Sequence, residues 1–190
     1  MKNKLEFTYN PKSVVLTRVE QLGQTFYKEK RLSLTANHAF PPLLLLARLK
    51  KLIEKPSFKV GSLEERFWKK DFAEMIILTD NLLMKASNAG HRIDFIKGVG
   101  VGGKVQDITS LVAWMRKQLS ELESELIGGS STSRLNRYYN AGTGYFENGA
   151  FFTVEYDDEL GFFIDDQRIY LNQQIKRVLR ELEILFHSPS

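Results

Sequence analysis

Four separate stretches of this chain carry apolar residues that step by three and four, a period that constrains them to helices packed side by side. Val15, Val19, Leu22 and Phe26 form the first ladder, and Leu45, Leu49 and Leu52 the second. The third is the longest: Ile108, Val112, Met115, Leu119, Leu122 and Leu126. Leu171, Ile175, Val178, Leu182 and Leu185 make the fourth. A helix with such a stripe must bury it, and the spacing suits neighbours crossing near +20°. The third ladder spans about three heptads, which fits a bundle helix better than a free coiled coil.

A fifth helix is predicted from Ser62 to about Ser87. Ser62 followed by Glu65 has the form of a capping box. Leu63, Phe67, Trp68, Phe72, Met75, Ile76, Leu78, Leu82 and Leu83 are too widely distributed for one stripe, so this helix packs on more than one side. Ser87-Asn88-Ala89-Gly90 is a plausible stop. Roughly 25 residues at 1.5 Å each span about 38 Å, long enough for a small domain to pack along it. The other helices are placed at 12–31 after Pro11, 42–55 between Pro41-Pro42 and Pro56, 107–127 with Asp107 as cap, and 170–187.

Elsewhere the period is two. Leu5, Phe7 and Tyr9 alternate with polar residues, and Ile93 to Ile96 also reads as a short strand. From Gly144 onward β-branched and aromatic residues take over, with AFFTVEY at 150–156 and Phe162-Phe163-Ile164. Glu147-Asn148-Gly149, Asp157 to Gly161, and Asp165-Asp166 are turn signals. A meander of two to four antiparallel strands follows, lying on the bundle through Phe152, Val154 and Tyr156 or through the opposite set. Arg134 to Asn140 is read as a short helix, and residues 128–133, GGSSTS, as a flexible linker. The predicted class is therefore mainly α, of α+β type: about five bundled helices with a small β-meander near the C-terminus. The chain is read as a single domain, with the bundle in 1–127, the meander in 144–171, and the last helix, 171–187, packing back on the bundle.

Composition excludes several classes. An apolar fraction of 43% with 26% charged residues is ordinary for a soluble globular protein. The longest apolar runs, Leu43 to Ala47 and Met75 to Leu78, are far too short to cross a bilayer. The opening residues MKNKLEFTYNPKS have lysines but no apolar core behind them, unlike a secretory signal. With no cysteine, disulfides, thiolate metal sites and cysteine nucleophiles are impossible. A cytoplasmic protein without a cofactor is expected. Charge is uneven: residues 1–104 hold 19 Lys/Arg against 10 Asp/Glu, a balance of +9, and residues 105–190 hold 8 against 13, a balance of −5.

Four features bear on chemistry. Gly98-Val99-Gly100-Val101-Gly102-Gly103-Lys104 fits the G-x-x-x-x-G-K loop that cradles phosphates, with Gly98, Gly100, Gly103 and Lys104 as its defining positions. Against that reading, Val105 replaces the magnesium-holding hydroxyl, the next helix starts near Asp107, and no alternating βα units surround the loop. Glu155, Asp157, Asp158, Glu159, Asp165 and Asp166 gather at hairpin ends, where carboxylates can hold Mg²⁺ or Ca²⁺ but where Asp is also a turn former. His38, His91 and His187 have no metal-ligand spacing, and no serine sits in G-x-S-x-G. Lys28, Lys30, Arg31, Arg48, Lys50, Lys51, Lys55, Lys69 and Lys70 form a basic set, and Arg134 and Arg137 beside Tyr138 and Tyr139 mix cation with aromatic. The expected function is a non-enzymatic accessory or interaction protein that contacts a protein partner or itself. The alternatives are nucleic-acid binding through the basic set, and a phosphate-binding enzyme using the glycine loop.

Overall fold

Proline starts the first helix. Pro41 lies just outside it and Pro42 occupies its first turn, where a missing N–H costs nothing. The computed structural model describes residues 40–59, 68–122 and 134–187. Among these, four α-helices are present: α1 (Pro42–Ile53), α2 (Trp68–Asn88), α3 (Ile108–Glu121) and α4 (Lys176–His187). The expected helix over 12–31, the strand at Leu5 to Tyr9, the Ser62–Glu65 cap and the 128–133 linker lie outside the described residues.

The three-four ladders are the buried faces. Leu45, Leu49 and Leu52 of α1 are buried, with Leu46 beside them. Ile108, Val112, Met115 and Leu119 of α3 are buried too. So are Val178 and Leu182 of α4, which follow a π-helical turn, Leu171–Ile175. Helix α2 packs against α1, α3 and α4. It therefore buries Phe72, Ala73, Met75, Ile76, Leu78, Leu82, Leu83 and Ala86, more than any one stripe. At its end the His91 N–H donates to the Ala86 carbonyl and Gly90 N–H to Ser87, the paired bonds of a Schellman stop.

Helix α3 opens on a capping box. The Asp107 carboxylate accepts from the Ser110 N–H at 2.7 Å, and the Ser110 hydroxyl accepts from the Asp107 N–H at 2.9 Å. Arg92 adds a fork of bonds to the same carboxylate, the closest at 2.8 Å. Burial alone would raise the Asp107 pKa, but the Ser110 N–H and the Arg92 guanidinium outweigh it and hold the carboxyl below its ordinary value. A depressed folded value stabilises the fold above the unfolded pKa, and that stability is lost as pH falls through the folded one. Urea titrations from about pH 5 downward should thus show a shallower loss of stability in Asp107→Asn than in the native chain. Equal slopes would mean that the carboxyl titrates alike in both states.

Five strands are described: β1 (Leu135–Tyr139), β2 (Gly142–Tyr145), β3 (Phe151–Val154), β4 (Leu160–Ile164) and β5 (Gln167–Tyr170). They do not pair in chain order as a meander would. Strand β4 returns to lie antiparallel between β1 and β5, while β2 and β3 form a separate hairpin. Arg134 to Asn140 is thus a correction, since it contains strand β1 and no helix. Leu135 and Tyr139 join the helical core while Tyr138 turns to the hairpin, the period of two that a strand imposes. Ile93 to Ile96 is also corrected: it joins no ladder. Its carbonyls at Ile93 and Phe95 instead accept from the Thr109 hydroxyl and the Ile108 N–H at the start of α3.

The layering follows from β4, whose five residues are all buried. Leu160, Phe162 and Ile164 enter the helical core. Phe163 points the other way, into a second cluster with Phe152, Val154 and Tyr170. Helices, three-stranded sheet and hairpin therefore stack in that order, and Phe152 and Val154 are the hairpin's buried set. All described residues belong to one compact unit, Phe40–Ser190, and no described helix is long and apolar enough to cross a membrane.

Candidate functional site

The basic residues are spread over the described surface, and several are compensated. Arg48 pairs with Glu74 at 2.6 Å, Lys55 with Asp71 at 2.7 Å, and Lys50 with Glu183. Arg134 pairs with Asp165. Arg137 lies 5.1 Å from the Trp68 ring centroid and donates to the Ser57 carbonyl at 3.2 Å. Lys51 is exposed on α1, and Lys69 and Lys70 are half-buried in the first turn of α2. Lys28, Lys30, Arg31 and His38 lie outside the described residues. Arg137 lies in strand β1 and Arg134 just before it, but they are not brought together: Arg137 packs on Trp68 of α2, while Arg134 bonds Gln118 of α3 at 3.1 Å.

The glycine loop is two turns in succession. Val99 N–H donates to the Ile96 carbonyl, and Gly102 and Val105 exchange both backbone bonds at 2.9 Å. Three amides that a phosphate cradle would use are thereby occupied, those of Val99, Val101 and Gly102. The N-terminus of α3, the natural anion site after such a loop, already holds the Asp107 carboxylate. The glycines have another use. A Cβ on Gly98 would stand 3.4 Å from Gln174 Nε2 and 3.6 Å from the Tyr170 ring, and one on Gly100 would stand 3.0 Å from Gln167 Oε1. The loop backbone thus lies close to β5 and the π-helical turn: a Cβ at Gly98 would make ordinary contacts, and one at Gly100 would need the end of the Gln167 side chain to shift slightly. Gly98 also sits at φ +72°, a left-handed conformation. Gly98→Ala should cost about 1–2 kcal/mol from backbone strain, seen as a lower urea midpoint. Lys104→Ala, at an exposed position, should stay within about 0.5 kcal/mol of the native chain. A neutral Gly98→Ala would mean that alanine holds this left-handed backbone without strain.

The acids also disperse. Glu155 pairs with Arg168 at 2.6 Å, and Asp158 accepts from the Tyr139 hydroxyl at 2.7 Å. That bond raises the Tyr139 pKa. Glu159 is buried, and its carboxylate accepts from the N–H groups of Leu160, Asn172 and Gln173 at 2.8–2.9 Å. Asp157 and Asp166 are exposed. Among the described residues no three His, Asp or Glu side chains gather as a metal would need. His91 is exposed just after α2, and His187 Nδ1 lies 2.9 Å from the Glu183 carbonyl.

A cleft that no single stretch of sequence announces lies between the two hairpins. It holds about 640 Å³ and is lined by β3 and the preceding turn, Asn148 to Thr153, on one side. Arg134, Phe163, Asp165, Asp166 and Arg168 line the other. Asn148 and Gly149, of the loop Glu147-Asn148-Gly149, belong to the first wall. Gly149 takes φ +81°, its N–H donates to the Phe146 carbonyl, and Phe146 N–H donates to Ala150, both at 2.9 Å. These two bonds define a three-residue hairpin loop with glycine in the left-handed position. Asp165 and Asp166 are the whole turn between β4 and β5, with Asp165 at φ +53°.

On the hairpin's outer face Tyr145 and Phe151 stand opposite each other, with ring centroids 5.3 Å apart. They remain 74% and 53% exposed, beside an inner aromatic stack of Tyr138, Phe146, Phe152 and Phe163. Residue-by-residue reading missed Tyr145 and Phe151. The signal was present, because a hairpin closed at Glu147-Asn148-Gly149 puts them at directly opposed positions. Burial is the largest influence on the Tyr170 phenol and pushes it above its ordinary pKa, with Arg168 pulling the other way. It is thus a neutral donor, 3.3 Å from the Thr153 carbonyl. Searches of protein-family models, curated proteins and solved structures return no match for this chain.

Proposed function

We propose that this protein is a non-enzymatic interaction module that binds a macromolecular partner through the β2–β3 hairpin. The observation that carries the reading is the exposed Tyr145–Phe151 pair. Two large aromatic rings held in contact with each other, on a strand pair backed by a packed aromatic cluster, cost little entropy to dock. Exposed aromatics of this kind are where binding energy concentrates in interfaces. The helical layer supports the hairpin through β4, and the helices' apolar ladders go to the core.

Affinity purification of the tagged full chain from its native cells, compared with a Tyr145→Ala/Phe151→Ala double variant, tests this. A partner should be retained by the native chain and reduced at least about tenfold by the double variant. The melting temperature should change little, because both rings are exposed in the free protein. Identical retention by both proteins would remove the hairpin from the interface. A strict monomer in sedimentation that retains nothing would refute the interaction reading itself.

A further inference from the structure

We propose that the cleft between the two hairpins takes an extended, basic segment of a partner protein as an added strand on β3. The inference rests on the interaction reading above and specifies its binding mode. The bonds between Phe146, Gly149 and Ala150 fix the alternation of the hairpin ladder. Gly144 with Phe152, and Gly142 with Val154, are then the pairs that exchange hydrogen bonds. Phe151 and Thr153 point their main-chain groups outward, along the strand edge that faces the cleft. Among the described residues the only group on this edge is the Tyr170 hydroxyl at the Thr153 carbonyl. Among the described residues the Phe151 N–H and C=O and the Thr153 N–H have no partner, and these are the three groups an added strand would use.

Charge selects the occupant. Arg134 is paired with Asp165 and Arg168 with Glu155, so both arginines are charge-compensated. Asp166 on the cleft wall is an exposed carboxylate, and among the described residues no ion pair to it is present. Asp166 is therefore the uncompensated charge on the cleft wall. Beside it Phe152 and Phe163 supply an apolar floor. An extended segment suits this surface when its alternate side chains are apolar toward the floor and Lys or Arg toward Asp166.

The test pans a phage-displayed library of random dodecapeptides on the full chain, then measures the best synthetic peptide by fluorescence polarisation. The recovered sequences should place Lys or Arg beside an apolar residue. N-methylation of the peptide backbone should weaken binding about tenfold at alternate positions only, since half the amides of a paired strand face away. Asp166→Lys should weaken it by a similar factor, more at low salt. A flat N-methylation profile with binding retained would overturn strand addition while leaving the interaction reading intact. Acidic consensus sequences, or none, would also overturn the proposal. Sequences matching residues 1–39 would do so too, by making the occupant a segment of this same chain. Loss of the reading itself shows instead in the purification experiment, where no partner would depend on Tyr145 and Phe151.

Discussion

Phe162→Ala is expected to cost about 3–5 kcal/mol and lower Tm by roughly 10 °C. The ring is fully buried at the centre of β4 and stacks on Phe72 at 4.6 Å between centroids. Phe58 meets it edge-on at 5.8 Å and Trp68 lies at 6.0 Å. Removing it leaves a cavity where the three-stranded sheet meets α2, and these rigid neighbours cannot all move in to fill it. Domains of this size have about 5–15 kcal/mol in total, so this one change takes a large share. Urea denaturation checks it, and a loss under about 1 kcal/mol would mean that β4 does not join the helices to the sheet.

The second large effect is at Glu159. Its carboxylate spans the join between β4 and the π-helical turn, accepting from Leu160 on one side and from Asn172 and Gln173 on the other. Those last two N–H groups are free donors at the start of the turn that leads into α4. Glu159→Ala strands all three and should cost about 2–4 kcal/mol, as a lost cap with unsatisfied amides behind it. Glu159→Gln keeps an acceptor oxygen and should recover part of that loss. An alanine variant as stable as the native chain would show that water replaces the carboxylate.

The parts of the fold that follow from local period were readable in advance. Leu45, Leu49 and Leu52, or Ile108, Val112, Met115 and Leu119, lie on one side of a helix whatever surrounds them. Asp107 as a cap was equally local. Strand β1 was not, because Leu135, Tyr138 and Tyr139 are also spaced as on a helix. Only the neighbours on its two faces, helices and hairpin, decide for a strand. Gly98 and Glu159 looked like phosphate and metal chemistry because residue type alone shows no partners. In the fold one sits close against Tyr170 and Gln174, and the other caps a helical turn. The cleft needed the strand order: β4 leaves the hairpin and returns to β1, which sets the Asp165-Asp166 turn across from β3.

A surface that binds by strand addition must keep its edge open in the free protein. Amide hydrogen exchange by NMR on the free full chain reads this one residue at a time. Along β3, Phe152 and Val154 should be protected, while Phe151 and Thr153 between them exchange as open amides. Equal protection at all four positions would mean that the edge is already covered, and binding by strand addition would be contradicted.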